Sequence, residues 1–194
     1  MAALTTSHTY SGIAFDFASP RSDMIDLQDI GRGLNGALRF NGHLTKRWTV
    51  LQHSILVSIL TAMKTPKWRA EGVLHDSSEA YTGDCPGPLK KILGEAYKAI
   101  ERPIEQAIAI KFNLEYPWPA EIKQADMLAQ DIEAAMMHPA ASQIIRQDFV
   151  LQKYQERLVE SLIDYGAQDF IQYTTALLEE RNYTDLKTVG FMRN

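Results

Sequence analysis

Two histidines and two aspartates in this sequence are ordered as a divalent cation would need them. His75 and Asp76 are adjacent in a stretch that reads as helical. His53 lies on the helix expected before it, in Gln52-His53-Ser54, and Asp126 on a later one, in Lys123-Gln124-Ala125-Asp126. Two imidazoles and two carboxylates arriving from three helices can close on one ion. Mixed nitrogen and oxygen donors suit Mn, Fe, Co, Ni or Zn better than Ca. Adjacent helical residues diverge by about 100°, so His75 and Asp76 would bracket an ion at the helix edge. Glu79 follows His75 by four residues and Asp76 by three, which places it on the same face. A carboxylate there can activate or orient a water, or protonate a leaving oxygen. Each residue alone has a plainer explanation, since a lone His in an apolar helix is usually a core group and Asp or Glu a surface charge. The four together, in this order, favour a metal centre.

The elements that must position these residues follow from the apolar period. A strand or short hairpin is expected within residues 8–17, which carry Tyr10, Ile13, Phe15 and Phe17, and Ser19-Pro20 breaks it. Helical spacing then dominates. Ile25, Leu27, Ile30, Leu34 and Leu38 mark a first helix; Leu51, Ile55, Ile59 and Leu60 a second, ending near Thr65-Pro66; residues 68–81 a third. Residues 83–88, with two glycines and two prolines, read as a loop. Residues 94–112 form a fourth helix interrupted by Pro103, and residues 120–137 a fifth that Pro139 ends. Residues 142–181 read as two or three amphipathic helices with Gly166 between them. The expected fold is all-α, in one domain over residues 1–194, with a short N-terminal strand or hairpin.

Composition narrows the function. At 194 residues and 45% apolar, the chain can bury a core without disulfides, and its one cysteine, Cys85, allows no internal bridge. A net charge of −4 argues against a duplex-binding protein. No stretch approaches the roughly 20 apolar residues of a membrane span. The first eleven residues lack the basic start and apolar run of a signal peptide, which points to a cytoplasmic protein.

The residues just named, in this order, resemble the HD superfamily of phosphohydrolases. They are more similar still to bacterial HD-domain 5′-deoxynucleotidases and to phage dATP triphosphohydrolases. The resemblance runs from about residue 25 to 133. It includes Arg39-Phe40, Val50-x-Gln52-His53-Ser54, the run from His75-Asp76-Ser77-Ser78-Glu79 to Thr82-Gly83-Asp84, Pro88-Leu89-Lys90, Tyr97-Lys98-Ala99-Ile100-Glu101, and Lys123-Gln124-Ala125-Asp126. It implies a helical HD bundle in which His53, His75, Asp76 and Asp126 hold one divalent transition metal (Co, Mn, Zn, Fe or Ni), with Mg as an optional second ion. Glu79 takes the place of the catalytic carboxylate, and Asp84 that of a second acid near the sugar or the attacking water. Arg39 matches a phosphate- or sugar-contacting arginine, and Lys90 and Lys123 match basic residues facing a phosphate chain. Phe40 stands where the bacterial deoxynucleotidase has Trp, which keeps an aromatic platform but alters the surface offered to the base. The relatives form dimers or larger rings and work in the cytoplasm of bacteria or phage-infected hosts, so a homo-oligomer is expected.

The leading expectation is a dNTP triphosphohydrolase preferring dATP and releasing deoxynucleoside and triphosphate. The alternatives are a 5′-deoxynucleotidase acting on dNMPs and, in another class, a non-catalytic helical assembly protein. A two-metal phosphodiesterase would need further histidine ligands that the sequence does not supply. Gly31-Arg32-Gly33-Leu34-Asn35-Gly36 spells a dinucleotide-binding GxGxxG, but it falls inside a helical segment with no strand before it. Cys85 has no histidine nearby to activate it.

Overall fold

The computed structural model describes residues 5–188 and is mostly helical. Thr6–His8 (β1) and Ala14–Asp16 (β2) form the expected N-terminal hairpin, antiparallel with Ser7 opposite Phe15. It is fastened by Phe15, buried and stacked on Tyr81 with ring centroids 4.1 Å apart.

The helices are Leu27–Gly36 (α1), Val50–Ala62 (α2), Arg69–Leu74 (α3), Glu79–Thr82 (α4), Gly87–Leu93 (α5), Glu95–Phe112 (α6), Ala120–Met137 (α7), Ala141–Ile144 (α8), Lys153–Leu162 (α9) and Ala167–Thr188 (α10). α2 is apolar on nearly every side and lies at the centre, packed against α3 and α7. Its start is fixed by a capping box, in which Gln52 Oε1 accepts the Thr49 amide at 2.7 Å. The Gln52 amide then donates to the Ile163 carbonyl at 2.7 Å, tying α2 to the end of α9. Among the described residues no helix is long and apolar enough to cross a membrane.

Three expectations need correction. The helix expected over 68–81 breaks at His75-Asp76. Glu79 donates to the Asp76 carbonyl at 2.9 Å and Ala80 to that of Ser77 at 3.2 Å, bonds that reach three residues back and tighten the turn. Asp76, Ser77 and Ser78 are poor helix formers whose short polar side chains compete for backbone groups, which suits them to such a turn. The first helix stops at Gly36 rather than Leu38; Ala37 is extended and Leu38 bridges Thr49. The loop after Gly83 is shorter than expected, because α5 begins at Gly87 with Pro88 in its first turn, where the missing N–H costs nothing. Pro103 sits inside α6 without ending it.

The GxGxxG run is a packing surface. A Cβ added at Gly33 would lie 2.4 Å from the Ala80 carbonyl oxygen and 2.7 Å from its Cα. Only glycine lets α1 approach α4 this closely, and α4 begins with Glu79.

Candidate metal centre and cleft

His53 comes from the first turn of α2, His75 and Asp76 from the turn after α3, and Asp126 from the first turns of α7. One ligand atom from each of His53, His75 and Asp126 falls within 4.8 Å of the others, and all three residues are buried. His53 Nε2 is 3.3 Å from Asp126 Oδ1 and 3.4 Å from Asp76 Oδ2, which is itself 3.2 Å from His75 Nε2. Ligands each about 2.0–2.2 Å from one ion stand roughly 3–4 Å apart, so the four sequence-predicted ligands are brought together at a suitable spacing.

The tautomers follow from the partners. His53 Nδ1 lies 2.6 Å from Glu133 Oε1, and His75 Nδ1 lies 2.8 Å from the Gly72 carbonyl oxygen. Both acceptors can only accept, so both Nδ1 atoms carry hydrogen. Each Nε2 is then left buried with no hydrogen-bond partner, its lone pair turned toward carboxylate oxygens. That arrangement repels unless a cation lies among the atoms. A proton on His53 serves one imidazole; a divalent ion serves both. Without a metal, burial and Arg39 oppose that proton, but Glu133, Asp126 and Asp76 hold the His53 imidazole well above its usual range. Burial also opposes charge on Asp76 and Asp126, yet the two histidines keep both carboxyls well below theirs. The donor set and the orphaned nitrogens fit a divalent metal.

The centre forms the floor of a cleft of about 330 Å³. Arg39, Phe40, Asp84, Lys90 and Lys123 line it with Glu79, Asp76 and Asp126. Glu79 is buried, and burial and Asp76, working against Lys90, push its carboxyl up to about 8. Asp84 is raised by burial, against the pull of Arg39, whose Nη1 stands 3.6 Å away. Arg39 and Phe40 sit on a short turn in which Phe40 and Asn41 are both left-handed, with φ of 52° and 51°. Such strain in a bulky residue at a cleft rim marks a position the surrounding structure enforces. The Phe40 ring is 5.6 Å from that of His138 and 5.8 Å from the Arg39 guanidinium.

The two lysines differ. The Lys123 ammonium donates to Asp126 Oδ2 at 2.6 Å, and its side chain is 70% exposed. Lys90 lines the cleft, but its ammonium lies between Glu79 at 2.9 Å and Glu101 at 2.8 Å. Glu101, Gln130 and Glu133 are site residues that the sequence reading did not single out. Gln130 donates to Asp126 Oδ1 at 2.8 Å. Gln130 and Glu133 follow Asp126 by four and seven residues, a same-face spacing that could have found them. Glu101 has no such spacing signal, since it reaches the site through Lys90; it falls only at the end of the Tyr97–Glu101 run that the resemblance includes.

No family model matches the chain. It is 35% identical over 120 residues to the uncharacterized protein YfdR of Escherichia coli (strain K12), a match covering 62% of this chain and 65% of that protein. It is 33% identical over 132 residues to the uncharacterized protein RCAP_rcc00048 of Rhodobacter capsulatus, covering 65% and 67% respectively. Neither name states an activity.

Proposed function

We propose that this chain, which belongs to the same family as the Rhodobacter capsulatus protein, is a metal-dependent phosphohydrolase of deoxynucleotides. The leading substrate is a dNTP, with dATP first among them, and the products are deoxynucleoside and triphosphate. The observation that carries this reading is the pair of buried, unpartnered Nε2 atoms converging with Asp76 and Asp126 on the floor of a cleft lined by an arginine and two lysines. The resemblance of the His53, His75-Asp76 and Asp126 series to HD phosphohydrolases points the same way.

His53, His75, Asp76 and Asp126 would hold one divalent transition metal, of the series Mn to Zn. Such an ion polarises a phosphoryl oxygen and acidifies water. The remaining work falls to the chain. Arg39 offers a permanently charged planar donor to the phosphate next to the sugar. Lys123 adds a point charge at the cleft mouth. Glu79, a buried carboxyl at the cleft beside Asp76, would accept a proton from the attacking water or return one to the leaving oxygen. Phe40 offers a ring face against which a base can stack.

A second reading, hydrolysis of dNMPs, is favoured by one observation: the Lys90 ammonium is already engaged by two carboxylates, which leaves fewer cations for distal phosphates. The test is incubation of the purified chain with Co²⁺ or Mn²⁺ and each dNTP, dNMP and ribonucleotide, followed by phosphorus NMR of the products. Tripolyphosphate from dATP is expected. Orthophosphate from dNMPs at a higher rate would select the second reading. A chain that binds metal and turns over none of them would be a helical binding protein.

A further inference from the structure

Glu133 lies on the same face of α7 as Asp126, two turns further along, and its side chain is fully buried. Its two oxygens serve different groups. Oε1 accepts the Nδ1–H of His53 at 2.6 Å. Oε2 lies 3.5 Å from Arg39 Nε and has no hydrogen bond. One carboxylate thus stands between an imidazole aimed at the metal seat and a guanidinium that lines the cleft. Without it, Arg39 and a divalent ion on His53 would face each other in a poorly screened interior, where like charges repel strongly. Arg39 has another acid, Asp84, at its Nη1, but among the described residues no second acid is bonded to His53 Nδ1. A carboxylate on the far nitrogen of a metal-ligating histidine also fixes its tautomer and raises its basicity.

We propose that Glu133 is a positioning residue that couples the metal seat to the anion grip. It keeps His53 Nε2 free for the ion and offsets the charge of Arg39, so that the two cationic devices work side by side. The inference rests on the metal reading of the site given above and needs no substrate.

Glu133→Gln keeps the shape and an oxygen acceptor but removes the charge. Titration of chelator-treated protein with Co²⁺, followed by calorimetry and visible absorption, should show affinity falling about 10–100-fold, the usual effect of losing such a partner. Arg39→Met alone should tighten Co²⁺ binding, because a repelling charge is gone. Arg39→Met in the Glu133→Gln background should recover part of the lost affinity, which a merely structural role for Glu133 would not produce. Unchanged affinity in Glu133→Gln, or no recovery in the double variant, overturns the proposal. If Glu133→Gln does not fold, Arg39→Met carries the test, and unchanged or weaker Co²⁺ binding there overturns it. Unmodified protein that binds Co²⁺ but hydrolyses nothing sinks the phosphohydrolase reading and leaves this one standing; protein that binds no Co²⁺ overturns both.

Discussion

The floor of the cleft and its outer wall are built in opposite ways. The floor takes its candidate ligands from α2, the turn after α3, and α7, and in α2 every residue but Ile59 and Ala62 is buried. The outer wall includes α5, of which no residue is buried, and α5 is bounded by Gly83 and Gly94, both at positive φ. Leu89, Ile92 and Leu93 of that helix are exposed, and Lys90 is its polar anchor to the neighbouring acids. Close packing gives the floor no room to relax, whereas the wall has few contacts to lose. On the proposed function, metal geometry would be set by the core, and substrate choice by a segment that can vary without disturbing it.

That contrast is broken most severely at the floor. Asp126→Ala removes the carboxylate oxygen nearest His53 Nε2 and should take the metal content of the purified chain from one ion to near none, with all turnover lost. Plasma emission of the gel-filtered protein measures it, and a full complement of metal in the variant would put the ion elsewhere.

Glu79 is next. Glu79→Ala should keep the metal and lose turnover by roughly 10²–10⁴-fold, the range for a proton-transfer group. The same residue makes stability depend on pH. Its folded carboxyl is raised to about 8, so the folded chain binds that proton more tightly than the unfolded one. The stability it contributes is fully present below the ordinary carboxylate range and is lost as pH rises through about 8. The permanently neutral Glu79→Gln variant should therefore melt above the unmodified, chelator-treated protein at pH 9 and close to it at pH 4.5. A difference that shrinks toward alkaline pH would contradict the buried-acid assignment.

Gly33→Ala tests how far the core holds the site in place. The added methyl would overlap the Ala80 backbone, and overpacking typically costs about 1–3 kcal/mol. At roughly 2–4 °C per kcal/mol for a chain of this size, the melting temperature should fall measurably. Turnover should fall with it, because α4 carries Glu79, while metal content stays at one ion. An unchanged melting temperature would mean that α1 and α4 are further apart in solution.

The sequence made the floor legible and the wall much less so. His53 and Asp126 could be read because each lies on a long or strongly apolar helix, where the period fixes which residues share a face. His75 and Asp76 lie in the turn after α3 and were legible as an adjacent pair of ligand types followed by Glu79. α7 was readable to its end residues, since Pro119 and Pro139 bound it. The break at His75-Asp76 was not, because three-residue and four-residue backbone bonding place the apolar residues almost alike. α5 was hidden by its glycines and prolines, which signal a loop whether or not a short helix follows. Glu101 was visible only as the last residue of a run matched by resemblance; its role was not, because it depends on a lysine on another helix. Gly33 was visible as part of a motif, but the constraint behind it, the Ala80 backbone, belongs to tertiary packing.

The smallest expected effect separates Lys90 from Lys123. By resemblance both face a phosphate chain. By geometry only Lys123 has its ammonium at the cleft mouth, largely exposed and bonded to a single acid, Asp126. A metal held by Asp126 would compete for that carboxylate and leave Lys123 free to turn to solvent or to an anion. The Lys90 ammonium has two acids, the buried Glu79 and the partly exposed Glu101, each within 3 Å, and burial of Glu79 makes its contact costly to abandon. Lys123→Met should therefore lower dNTP turnover by about tenfold, the loss of one charge-assisted contact, and hardly change dNMP turnover. Lys90→Met should lower both by a similar factor, since it acts on Glu79 whatever the length of the phosphate chain. The ratio of dNTP to dNMP turnover in each variant is the measurement, and it cancels differences in folded fraction. A ratio that collapses in Lys90→Met and holds in Lys123→Met would give the phosphate chain to Lys90 and show that its bonds to Glu79 and Glu101 open when substrate arrives.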